Sequence, residues 1–272
     1  MVFTMDSTFK RAIFIAIVVA VNIIFLFTAF FYLPELNQKS IAVYLLIIQA
    51  FVIVTFFLYR KQTTARVIQV KKLKNPRLQE NAFEVTKLLF KEYEYITTTA
   101  AQVQKDRNTL LNQFIFFSAL IAAIVLFLVA NPEHFFSQSG VVGLSILCNI
   151  IGWIFFLNLV RFRQAWWSCA EAMNQIKDFF IINSRLPDDI ARTTFLWDSR
   201  TLPRAGKKSN NYYYTAMVIA VIASSFLLIS SWAGSSNLQA PTLTTFSALL
   251  ALYHFLFQMT TYSLFLDFKP IR

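Results

Sequence analysis

The sequence predicts an all-α, polytopic membrane protein with six transmembrane helices, of which helices 2 to 5 extend into a cytoplasmic helical bundle. Three observations carry that reading. The chain is 57% hydrophobic and 14% charged, with 30 Phe among 272 residues, outside the usual range of a soluble domain. Its apolar residues gather into runs of about twenty, the length that crosses a hydrocarbon layer of about 30 Å at about 1.5 Å per residue. Finally, its basic residues fall almost entirely on one side of those runs.

Six runs qualify, spanning Ala12 to Leu33, Ser40 to Tyr59, Phe114 to Ala130, Gly140 to Val160, Tyr212 to Gly234 and Thr242 to Leu266, and none contains Asp, Glu, Lys or Arg. A chain in lipid must satisfy its own backbone, so each run is a helix or a strand of a closed barrel. Continuous hydrophobicity without period-two alternation selects the helix. The first run follows Lys10 and Arg11 like a signal peptide. It is longer than a signal h-region and lacks a small-x-small cleavage site, so it reads as the first span.

Charge then sets the orientation. The segment from Arg60 to Gln113 holds eleven Lys or Arg, Arg161 to Asn211 holds nine, and each terminus holds two. The opposite loops, Pro34 to Lys39, Asn131 to Ser139 and Ser235 to Pro241, hold Lys39 alone. A split of 24 against 1 is what the positive-inside rule produces for six spans with both termini in the cytoplasm. The chain therefore divides into 1–59 (N-terminal tail and spans 1 and 2), 60–113 (cytoplasmic), 114–160 (spans 3 and 4), 161–211 (cytoplasmic) and 212–272 (spans 5 and 6 with the C-terminal tail). The outer loops, of six to nine residues, are too short for a folded domain.

The first cytoplasmic segment opens with Arg60, Lys61, Arg66, Lys71, Lys72, Lys74 and Arg77 and has no acidic residue before Glu80. Such a juxtamembrane cluster attracts anionic lipid headgroups, by about 1 kcal/mol per basic residue near the surface. The plainer account is that it only orients the chain during insertion. Aromatic residues are not interleaved there, which argues against nucleic-acid binding. Asn75-Pro76 breaks any helix, and a new one is predicted from about Glu80 directly into span 3. Its seam is Val85, Leu89, Tyr93, Ile96, Ala100, Val103 and Leu110, with Arg107 in the remaining place.

Span 4 continues past the membrane in the same way. Phe162, Trp166, Cys169, Met173, Ile176 and Phe180 alternate four and three apart, the cleanest heptad pattern in the chain. Leu186-Pro187 stops that helix, Asp188 caps a short one reaching about Ser199, and Leu202 to Gly206 reads as a loop. The two seams are expected to pack on each other. The alternative is that one of them meets a second copy of the chain and forms a homo-oligomer.

No nucleotide, metal or hydrolase motif is present, five glycines leave little for a phosphate cradle, and no cofactor is implied. The only histidines are His134, in an outer loop, and His254, in span 6, too few for a bis-histidine haem within one chain. Cys148 and Cys169 read as packing residues. Thr244, Ser247, Ala251, His254, Gln258 and Thr261 recur every three or four residues and share one face of span 6. A titratable group at mid-depth marks either a pore, ligand or proton path or hydrogen-bonding glue between helices. Ala216, Ala220 and Ser224 repeat a small residue every fourth position in span 5, a pattern of close helix approach. Tyr212, Tyr213, Tyr214 and Trp232 belong at its two ends, in the headgroup layers.

Lys91-Glu92-Tyr93-Glu94-Tyr95-Ile96 with Arg107-Asn108-Thr109-Leu110-Leu111-Asn112, and Arg163-Gln164-Ala165-Trp166 with Ala172-Met173-Asn174-Gln175-Ile176-Lys177, resemble segments of uncharacterised bacterial integral membrane proteins. The resemblance covers about a quarter of the chain. It implies a bacterial inner membrane and no particular activity. Ala165-Trp166-Trp167 after a basic span end is similar to bestrophin-type anion channels, whose remaining pattern is absent. The expected function is a non-catalytic, membrane-anchored interaction or signalling component, with the bilayer and a cytoplasmic protein as partners. The alternative is a channel or transporter that uses the polar face of span 6.

Overall fold

The computed structural model describes residues 43–54, 82–131, 137–184, 205–206, 210–233 and 241–267. Within them lie five helices and no strand. These are α1 (Val43–Val54), α2 (Ala82–Ala130), α3 (Ser137–Ser184), α4 (Asn211–Ala233) and α5 (Pro241–Asp267). Stretches of α2, α3, α4 and α5 are long and apolar enough to cross a membrane. The apolar run at Ala12 to Leu33, the basic cluster at Arg60 to Arg77 and the short helix expected at Asp188 to Ser199 lie outside the described residues.

Local chemistry explains the ends. α2 contains neither Gly nor Pro over its 49 residues and is therefore unbroken for about 73 Å. It stops where Asn131 donates its side-chain amide to the Phe127 carbonyl at 2.8 Å, and Pro132 cannot continue a helix. α4 starts at an Asn cap, with the Asn210 side-chain oxygen accepting the Tyr213 amide at 2.8 Å. α5 begins with Pro241 in the first helical position, where its missing N–H costs nothing.

Side-chain pairs give the register. Thr97 meets Met173, the Phe114 and Phe155 rings lie 5.5 Å apart, and Cys148 meets Ser118, so α2 and α3 are antiparallel along most of their length. Trp153 with His254 and Gln164 with Phe265 keep a constant offset, so α3 and α5 run parallel. α4 lies antiparallel to both and packs against each. α3 is thus the common neighbour of α2, α4 and α5.

The main buried cluster joins Phe114, Trp153, Phe156, Tyr212, Ile219 and Tyr262 from four helices. A second, around Ile121, Val125, Cys148 and Phe226, lies nearer the C-terminal end of α2, and Leu45, Leu227 and Leu250 form a third. On the far side of α2, Phe116, Leu120, Leu126 and Phe127 are all at least half exposed, an arrangement suited to hydrocarbon rather than water.

Beyond their apolar stretches α2 and α3 continue as a pair. Ile96, Ala100, Val103 and Leu110 of the predicted α2 seam are buried, and Leu89, Tyr93 and Arg107 are half-buried. On α3 the buried stripe is displaced by one residue from the heptad positions. Arg163, Ala170 and Asn174 are the buried groups, beside Ile176, whereas Phe162, Trp166, Cys169 and Met173 are half-buried. The side chains of Val85 and Phe180 fall outside the described set.

Candidate intramembrane polar node

α3 places Asn149 and Trp153 one turn apart on the face it turns to α4 and α5. Between them, Gly152 permits the approach: a Cβ there would lie 2.7 Å from the Ala223 Cβ. Ala216, Ala220, Ala223 and Ser224 of α4 are all buried, so the small-residue stripe read from the sequence is a packing face. Close contact lets short side chains bridge helices. The Asn149 amide reaches the Ala223 carbonyl at 2.9 Å.

His254, 1% exposed, sits at the centre of this contact. The Trp153 indole N–H donates to its Nε2 at 2.9 Å, and Nδ1 lies 2.9 Å from Ser224 Oγ. The Asn149 amide approaches Nε2 at 3.4 Å, and the Trp153 and His254 rings meet edge to face, 5.7 Å between centroids. Asn149 in turn accepts a 2.8 Å bond from the Tyr44 hydroxyl of α1, and Gln49 of α1 donates to the Tyr253 hydroxyl at 2.8 Å. One histidine thereby gathers α3, α4 and α5, with α1 tied on from outside.

The tautomer follows from the donors. An indole N–H can only donate, so Nε2 must accept and carries no proton. The neutral ring then holds its proton on Nδ1 and donates to Ser224. A protonated ring would set Nε2–H against the indole N–H, two donors face to face. In the one serine–histidine pair among the described residues the imidazole thus donates to the hydroxyl, the opposite of the accepting role of a general base.

Comparison with protein-family models, with curated proteins and with solved structures finds no match for this chain. The site's meaning therefore rests on its geometry.

The remaining residues of the predicted α5 face divide. Thr261 is buried and bonds the Phe257 carbonyl at 2.8 Å, a local helix contact. Ser247 and Gln258 are buried at 1% and 0% exposure, and neither the hydroxyl nor either carboxamide atom has a partner among the described residues. The Thr244 side chain is outside the described set. Cys148 is buried, Cys169 is half-buried, and no group of metal-binding side chains occurs among the described residues. Arg60, Lys61, Arg66, Lys71, Lys72, Lys74 and Arg77 also lie outside it.

A second polar layer secures the other end of the apolar region. Arg163, 4% exposed, donates from Nε to the Ala205 carbonyl at 2.9 Å and covers the Trp166 and Tyr212 rings at 4.8 and 5.4 Å. Arg107 of α2 lies 4.9 Å from the same Tyr212 ring, and Gln164 bonds the Phe265 carbonyl at 3.1 Å. Cation–π contacts thus bind α2, α3 and the start of α4 where the charged extension begins.

Trp153, Asn149 and Tyr44 were not singled out by sequence reasoning. Two signals were present. Asn149 is an amide in mid-run, and Trp153 is a tryptophan away from the interfacial belt where that residue normally concentrates.

Proposed function

We propose that the chain is a non-catalytic, membrane-anchored interaction or signalling component that spans the bilayer six times, with its termini and helical extension in the cytoplasm. The observation that carries this reading is the paired continuation of α2 and α3. Both helices pass without a break from their apolar stretches into a charged extension, where Thr97 contacts Met173 and Ile96, Ala100, Val103, Ala170 and Ile176 are buried. A displacement of one end of such a rigid pair is transmitted to the other, the property an anchored signalling element needs. The charge split of 24 to 1 supports the orientation.

The alternative of a channel or transporter draws on the polar face of α5. Ser247, His254, Gln258 and Thr261 are each buried against neighbouring helices, which favours a packing role for that face.

Two measurements test the proposal. Liposomes holding the purified protein should show ion and proton flux no greater than protein-free vesicles, and flux above that background overturns the reading in favour of transport. Single cysteines placed within 60–113 or 161–211, in a background without Cys148 and Cys169, should resist an impermeant thiol reagent outside intact cells, whereas one at Ser137 should react. Labelling of either long segment from outside refutes the topology.

A further inference from the structure

Besides the tyrosine hydroxyls of Tyr212 and Tyr262 near the charged extension, the packed region of α3, α4 and α5 buries four polar side chains that the His254 node does not satisfy. Ser145, Ser230 and Gln258 are 0% exposed and Ser247 is 1% exposed, and their hydroxyl or carboxamide atoms have no partner among the described residues. Elsewhere in the same helices hydroxyls return to the preceding turn of backbone. Thr215 bonds the Asn211 carbonyl, Ser225 that of Val221, Ser231 that of Leu228 and Ser263 that of Met259, at 2.8 to 3.3 Å. Ser145, Ser230 and Ser247 forgo this standard outlet although it is available to them in any helix.

The register places the four groups in two layers. Ser247 lies seven residues before His254, and Ser230 six residues after Ser224 on the antiparallel α4, so both stand about 10 Å along the helix axes from the imidazole, towards the C-terminal end of α2. Ser145, one turn before Asn149 on α3, falls on the same side. Three helices thus each contribute one hydroxyl on that side. Gln258 lies one turn, about 5 to 6 Å, beyond His254 in the opposite direction. Ala220, one turn before Ser224, shares the Gln258 level and offers no hydrogen-bonding side chain.

We propose that this region binds internal water at two sites, one among Ser145, Ser230 and Ser247 and one at Gln258, separated by the dry Trp153–His254–Ser224 node. Water suits both sites because each hydroxyl and the carboxamide can both donate and accept, and no charged side chain belongs to either group. Buried water ordinarily makes two to four bonds to groups of this kind. The node divides the sites because both imidazole nitrogens are already engaged, at 2.9 Å on each side. Hydrated polar groups therefore lie deep in the helix packing without forming a continuous file.

Brief X-ray radiolysis with mass-spectrometric readout distinguishes this from a dry interior, because bound water generates hydroxyl radicals in place. Cys148 and Met259, both buried and each close in sequence to one proposed site, are the natural reporters. In the wild-type protein in lipid nanodiscs both sulfurs should be oxidised rapidly. Gln258→Leu should slow oxidation of Met259 several-fold and leave Cys148 unchanged, and Ser145→Ala should do the reverse. Should Gln258→Leu fail to fold, the wild-type rates and the Ser145→Ala arm still decide. Oxidation of neither sulfur in the wild-type protein, or rates indifferent to the substitutions, overturns the proposal.

Discussion

Replacing His254 with leucine tests whether the buried imidazole holds the helices together. Leucine has nearly the same volume, so the cavity contribution is small and the change isolates hydrogen bonding. Two bonds of 2.9 Å disappear, to Trp153 and to Ser224. Interhelical bonds in bilayers average about 0.6 kcal/mol, with a maximum near 1.7, so the pair accounts for about 1 to 2 kcal/mol. The Trp153 indole N–H is left buried and unpaired, which adds about 1 to 3 kcal/mol. A loss of about 2 to 5 kcal/mol is expected, a large fraction of a total stability of about 5 to 15 kcal/mol. Unfolding of purified protein, followed by circular dichroism or tryptophan emission, measures it. In a double-mutant cycle with Trp153→Phe, the double variant should lose less than the sum of the singles, because the second change removes the donor that the first orphaned. An unchanged midpoint for His254→Leu, or additive losses, would refute the bond network. A stable variant whose flux or binding loses a dependence on pH between about 5 and 8 would instead place the imidazole on a conduction path.

Two further outcomes follow from the packing. Gly152→Ala forces a methyl group to within 2.7 Å of the Ala223 Cβ, so it should destabilise the protein by about 1 to 3 kcal/mol in thermal unfolding, and Ala223→Gly in the same chain should recover part of the loss. In the extension, Ile176→Glu puts an unpaired charge at a buried position and should lower the melting temperature, whereas Gln175→Glu, one residue away and exposed, should leave it nearly unchanged; equal effects would show that the pairing of α2 with α3 is not what stabilises the extension.

Much of the architecture was legible because its causes are local. A run of apolar residues without charge is helical in lipid whatever its neighbours are, so the end of α2 at Ala130 and the continuation of α3 well beyond Val160 follow from composition and from Pro132 and Pro187. Helical spacing alone put Ser247, His254, Gln258 and Thr261 on one face. The α2 seam was likewise readable as a period. The α3 seam was offset because a hydrophobic period does not count polar side chains that find tertiary partners, as buried Arg163 does with the Ala205 carbonyl and the Trp166 and Tyr212 rings.

What the sequence determined by itself is the helical class, the charge asymmetry and which residues share a face. Only the tertiary structure decided what that face meets. His254 could equally have lined water, and nothing within a few residues of it says otherwise. Its donor, Trp153, is 101 residues away in the chain, and Asn149 is 105 away. Their meeting depends on Gly152 allowing α3 to approach Ala223, and the ring's protonation depends on an indole that can only donate. Helix formation answers to the nearest few residues and to the solvent. The role of a buried polar group answers to whichever donors and acceptors packing brings within about 3 Å of it, a pairing that sequence separation does not encode.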